Sequence, residues 1–211
     1  MMKSSRIKVY AYFDKASNAF TVSGIEFREF IQYLTVPLDN LLLVKGDYFG
    51  NRVSNHFELL EGRESIAQLA REEIYTWGDF CFFDYSTNGN PDNLTKQEIA
   101  EILYFSHTQE AMRPPFFAAL HNRFAYYTHD DGWQCKIYCC APEEFAVVLY
   151  AKLFGVRAAQ ENTSGVRSLL EQCEYGILCD LQTCGTAEVQ IKTVGRYTDM
   201  DAVLNHSEMA Y

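Results

Sequence analysis

The chain has 211 residues, 48% of them hydrophobic, with 15 phenylalanines, 14 tyrosines and two tryptophans. That is ample material for a core without metal or disulfide staples, and it excludes global disorder. A net charge of −10, from 28 acidic and 18 basic residues, repels phosphate backbones and disfavours nucleic acid as a partner.

The chain starts "MMKSSRIKVYAYF", which has basic residues but no apolar signal region and no small-residue cleavage site. No stretch reaches the about 20 apolar residues that span a bilayer. These features predict a cytoplasmic protein with no membrane partner. "RIKVYAYF" and "AFTVS" read as strands around the turn-like "DKASN". A helix over 25–35 follows, with Phe27, Phe30, Ile31 and Leu34 on one face. "NLLLVKGDYF" and "VSNHFELL" flank "GN", ahead of a helix over 64–76 with Ile66, Leu69 and Ala70 aligned.

Residues 76–122 read differently. "DFCFFDY" is a strand, "STNGNPDN" a polar loop, and Thr95 and Glu98 have capping-box spacing at the start of a helix over 95–107. Ile99, Ile102, Leu103 and Ser106 share its face, and "RPPFF" breaks it. A hairpin comes next. Asp131-Gly132 suits a two-residue type I′ turn, because both central positions need positive φ. In that register Thr128 faces Cys135, Tyr126 faces Ile137 and Phe124 faces Cys139, on an apolar side. Arg123, Tyr127, His129, Gln134, Lys136, Tyr138 and Cys140 make a more polar one. A three-residue loop with Gly132 left-handed would shift the register by one.

Pro142, Glu143 and Glu144 open a helix over 142–154 and Gly155 closes it. Residues 157–165 form a polar gap. Strands over 176–183 and 187–194 flank "GT", with a short helix near "DMDAVLN". The strand–strand–helix order recurs up to four times, in pattern and not in residues. It predicts an α+β fold: antiparallel sheet built from hairpin–helix units, with helices mainly on one face. Residues 1–211 are expected to form a single domain, and 86–94 and 157–165 are where a weak subdivision would fall.

Three clusters could carry chemistry. "YYTHDDGWQCKIYCC" is the hairpin tip. On the first register His129 and Asp130 point to opposite faces, and Cys135 and Cys139 lie roughly 13 Å apart along the strand, too far for one zinc. The second cluster, Cys173, Cys179 and Cys184, matches no zinc-knuckle spacing, and alternation puts Cys179 with Tyr175, Ile177 and Leu181 on an apolar face. Seven cysteines, an odd number, predict reduced and mostly buried thiols. The third, "EEIYTWGDFCFFDY", sets Glu72, Glu73, Asp79 and Asp84 among Tyr75, Trp77, Phe80, Phe82, Phe83 and Tyr85. Carboxylates beside rings suit a bound cation or acid–base work.

No phosphate loop, G-x-S-x-G elbow or H-E-x-x-H is present. The sequence therefore predicts a non-enzymatic binding or regulatory protein, without cofactor or metal. Its ligand residues are expected to be Glu73, Tyr75, Trp77, Asp79, Asp84 and Trp133, engaging a protein partner or a small cationic molecule. The alternative is a hydrolase-like enzyme using His129, Asp130 and Asp131, in a pocket with Tyr126, Tyr127 and Trp133. A structural metal held by cysteines is a third reading.

Overall fold

The computed structural model describes residues 6–44, 57–71, 80–105, 115–129, 134–182 and 188–196. Nine strands form one sheet: β1 (Arg6–Asp14), β2 (Ala19–Ser23), β3 (Asn40–Val44), β4 (Phe57–Glu61), β5 (Phe80–Tyr85), β6 (Phe124–His129), β7 (Gln134–Cys139), β8 (Ile177–Gln182) and β9 (Glu188–Thr193). Their order is β4-β3-β5-β6-β7-β2-β1-β8-β9, and every pairing is antiparallel. The α+β reading with an antiparallel sheet is correct. The first hairpin, β1–β2, ends up inside the sheet, clasped between β7 and β8.

The helices are α1 (Phe27–Tyr33), α2 (Arg63–Leu69), α3 (Lys96–Phe105), α4 (Pro142–Phe154), α5 (Val156–Glu161) and α6 (Thr163–Cys173). On one sheet face, Phe27 and Phe30 of α1 pack with Phe82, Phe124, Tyr126 and Phe145. Phe82 and Tyr126 are cross-strand partners whose rings stack at 4.9 Å. Ile66 of α2, Ala159 of α5 and Leu169 of α6 join this core. α4 is buried on most of its circumference because α1, α5 and α6 pack around it.

Among the described α-helices, α3 alone lies on the opposite face, where Ile102 and Phe105 meet Phe83, Tyr127 and Tyr138. Its start is capped as expected: Glu98 donates its backbone N–H to Thr95 Oγ1 at 3.2 Å, and Glu98 Oε2 accepts the Thr95 N–H at 2.7 Å.

The β6–β7 register is the one that the tight turn requires: Phe124 opposite Cys139, Tyr126 opposite Ile137, Thr128 opposite Cys135. The turn itself, 130–133, lies outside the described residues, as do the "GN" turn and the short helix near 199–205.

Three local expectations need correction. The hairpin is not half-buried, as its alternation suggests, because Tyr127 and Tyr138 on the more polar face are buried too, beneath α3 and the Phe117–Leu120 segment. Asn122 holds that segment down: its Oδ1 accepts the Phe117 N–H at 2.8 Å and its Nδ2 donates to Pro115 O at 3.0 Å. The gap 157–165 contains α5 and the start of α6, because Asn162 Oδ1 accepts the Gly165 N–H and nucleates a helix there. Tyr175 precedes β8 and is 69% exposed, so it does not share the buried face of Ile177, Cys179 and Leu181.

Candidate functional site

Glu73, Tyr75, Trp77, Asp79 and Trp133 lie outside the described residues, as do Asp130 and Asp131. The described residues that border these stretches are informative by position. His129 ends β6 opposite Gln134, and Phe80 opens β5 opposite Thr128. Phe80 and His129 thus stand on neighbouring strands at one end of the sheet. Asp84 is at the other end of β5.

Asp84 is buried, 3% exposed. Its Oδ1 accepts the backbone N–H of Phe124 at 2.7 Å and of Arg123 at 2.9 Å, and its Oδ2 lies 3.5 Å from Arg123 Nε. Burial pushes its pKa up to about 6, against the opposing pull of the Phe124 amide and the Arg123 charge. Arg123 continues the network. Nη1 donates to Glu144 Oε2 at 2.9 Å, and Nη2 donates to the carbonyls of Val36 and Pro37 at 3.0 and 3.2 Å. One guanidinium therefore ties β5, the first turn of α4 and the 36–37 segment together. Both Asp84 oxygens face protein donors, which suits a structural carboxylate.

The six described cysteines are free, and five are buried. Burial raises the pKa of Cys81, Cys135, Cys139, Cys173 and Cys179, Cys135 to about 11 and Cys179 to about 12. Partial burial, then the charges of Asp84 and Glu144, raise that of exposed Cys140 as well. These thiols are held protonated at neutral pH, the opposite of what a nucleophile or metal ligand needs. Cys184 lies outside the described residues. Among the described residues, no group of three His, Cys, Asp or Glu side chains is arranged to hold a metal. No helix among them is long and apolar enough to cross a membrane.

A concave site does occur, between α1 and α2. It is a groove of about 340 Å³, lined by Arg28, Ile31, Gln32, Pro37, Leu38, Arg63, Ile66, Ala67, Ala70 and Arg71. Its walls are well anchored. Glu29 Oε2 accepts the Glu26 N–H at the start of α1, and its Oε1 pairs with Lys152 of α4. α2 begins after Gly62, whose φ of +83° favours glycine, and the Gly62 N–H donates to Asn40 Oδ1 at 3.0 Å. Asn40 Nδ2 in turn donates to Tyr85 O at 3.2 Å. The Arg123 bonds to Val36 and Pro37 fix the segment leading into the third wall.

Sequence reasoning missed this groove because it read Ile66, Leu69 and Ala70 as a core-facing stripe and gave the neighbouring arginines no role. A signal was present: Arg63, Ile66, Ala67, Ala70 and Arg71 follow i, i+3, i+4, i+7, i+8 spacing, so the apolar stripe of α2 is bracketed by cations.

No family model, curated protein or solved structure significantly matches this chain.

Proposed function

We propose that this chain is a non-enzymatic binding or regulatory protein, with its ligand seated in the α1–α2 groove. The supporting observation is the groove itself. It is concave, apolar at its floor, polar at its rim and of a volume suited to small ligands, which occupy pockets of roughly 300–1,000 Å³. The titratable groups around Asp84 argue the same way, since their hydrogen bonds are spent on holding the fold. The proposal includes a reducing, cytoplasmic compartment, supported by an odd cysteine count and buried thiols.

A second location follows from the pairing of Phe80 with Thr128. Phe80 and His129, which follow the aromatic–acidic stretch and precede the hairpin tip in sequence, stand at one end of the sheet, and in this second reading Trp77, Asp79 and Trp133 would serve a protein partner or a small cation.

Thermal melts of the purified protein against a panel of cationic, anionic and neutral small molecules test the proposal. Ala67→Trp fills the groove from a half-buried position on α2. A ligand that raises the Tm of the parent but not of this variant supports groove binding. A ligand whose effect survives Ala67→Trp and disappears on Trp77→Ala or Asp79→Asn moves the site to the aromatic–acidic end. Chemical turnover of any hit overturns the non-enzymatic reading.

A further inference from the structure

We infer that the α1–α2 groove selects a small amphiphile with an anionic head, a carboxylate or phosphate monoester, on a short apolar body. This rests on the groove being a binding site and adds the chemistry of its ligand.

Charge is the first argument. The chain carries −10 overall, yet three arginines line this groove and no carboxylate does among the described residues. A guanidinium is always protonated, and its planar fork matches two oxygens of one carboxylate or phosphate. Arg28 is held by Glu26 at 3.5 Å and Arg63 by Asp39 at 3.3 Å. Both arginines are more than half exposed, so these are screened surface pairs that an incoming anion can replace. The Arg71 guanidinium has no ion-pair partner among the described residues.

The floor supplies the second argument. Ile31, Leu38, Ile66 and Ala70 all line the groove. An inorganic anion would leave that surface wet, whereas an apolar body covers it. Size gives the third. Each wall helix has seven residues, about 10 Å of helix. A docked partner helix needs anchors from i to i+7, already about 10 Å between its outermost contacts. The groove is too short to seat those anchors and also hold a charged end, so a small molecule is the better occupant.

Isothermal titration with four probes of one chain length tests the inference: octanoate, octyl phosphate, octanol and octylamine. Octanoate, octyl phosphate or both should bind, octanol at least about tenfold more weakly, and octylamine not at all. Whichever anion binds more tightly identifies the head group. Arg28→Gln, Arg63→Gln and Arg71→Gln should each weaken binding by about tenfold, the scale of one charge-assisted hydrogen bond. Raising salt should weaken it further. Ala67→Trp should abolish it, and Arg71→Glu, at an exposed position, provides the same test should Ala67→Trp misfold. If octanol and octylamine bind as tightly as octanoate and Ala67→Trp blocks them all, the anion inference is wrong and groove binding stands. If no octyl compound binds, or binding survives both Ala67→Trp and Arg71→Glu, the inference fails, and the melt panel separately decides whether the groove binds anything.

Discussion

Asp84 Oδ1 accepts the backbone N–H of Phe124 at 2.7 Å, from a carboxyl group 40 residues earlier in the chain. The bond closes the end of the β5–β6 ladder, where strand pairing has stopped and the amide would otherwise be buried without an acceptor. Arg123 contributes a second amide to the same oxygen and a guanidinium to the other. Asp84→Leu keeps approximate size but removes the acceptor for both amides and one counter-ion of Arg123. The expected loss is about 3–5 kcal/mol, the range for breaking a buried charged pair. Urea denaturation measures it. A loss below about 1 kcal/mol would mean that water replaces the carboxylate and that the network does not hold the sheet end.

The raised pKa of Asp84 has a definite sign. The folded state holds the proton more tightly than the unfolded chain, because burial penalises the anion. Its contribution is therefore fully present below the ordinary carboxylate range, near pH 4, and is lost as pH rises through about 6. Asp84→Asn cannot ionise and serves as the reference. The stability of the parent relative to this variant should rise as pH falls from 7 to 5. Other carboxylates, including Glu98 with its opposite shift, are common to both proteins and cancel in the difference. Denaturation curves at three pH values suffice, and a difference independent of pH would refute the titration.

Local signals account for most of what the sequence revealed. Pro142, Glu143, Glu144 and Gly155 bound α4 where the helix begins and ends. The β6–β7 register is the one that a two-residue turn at Asp131-Gly132 implies, with Phe124 opposite Cys139 and Tyr126 opposite Ile137. The sheet order was not legible. Nothing local tells β2 to pair with β7, or Arg123 to reach the carbonyl of Val36, 87 residues away. Such contacts are chosen by packing of the whole sheet. The groove was hidden for the same reason: its walls, α1 and α2, are separated in sequence by β3 and β4. Asp84 was singled out as a ligand residue from its aromatic neighbours, and its amide partners lie on a strand that the sequence does not link to it.

Gly24 joins β2 to α1 with φ of +85°, and a Cβ there would collide with the Lys8 carbonyl of β1. Gly24→Ala is thus penalised twice, by left-handed backbone and by close approach to a strand that cannot move away. The expected cost is about 2–4 kcal/mol, reaching above the about 1–3 kcal/mol of the backbone effect alone. A thermal melt would show it. A Tm within 2 °C of the parent's, on a scale where about 1 kcal/mol shifts a domain of this size by 2–4 °C, contradicts the close approach.

Asn162 caps α6 through Gly165 at 2.8 Å, and its Nδ2 donates to Tyr150 Oη of α4 at 2.8 Å. One amide side chain thus starts a helix and docks it. Asn162→Asp keeps the cap acceptor but loses the donor to Tyr150, while Asn162→Ala loses both. Alanine should cost about 1–2 kcal/mol, the upper range for a lost cap, and aspartate less than half of that. Equal losses would place the whole effect in the Tyr150 bond.

Arg123 links the Asp84 network to the groove, since the carbonyls of Val36 and Pro37 both accept from its Nη2. Lysine at this position keeps a positive charge near Asp84 and Glu144. Its ammonium cannot satisfy two carboxylates and two carbonyls that a planar fork reaches in three directions. Arg123→Lys should therefore preserve the fold but free the 36–38 segment. Hydrogen exchange at the amides of Val36, Leu38 and Asp39 is expected to accelerate, while Leu41, Leu42 and Leu43 in β3 keep the parent's protection, because their ladder to β4 and β5 is untouched. Pro37 and Leu38 line the groove, so a groove ligand should bind this variant more weakly with unchanged stoichiometry. Unaltered exchange at 36–39 would show that the segment is held by apolar packing of Leu38, and Arg123 would then be a stabiliser of the sheet end alone.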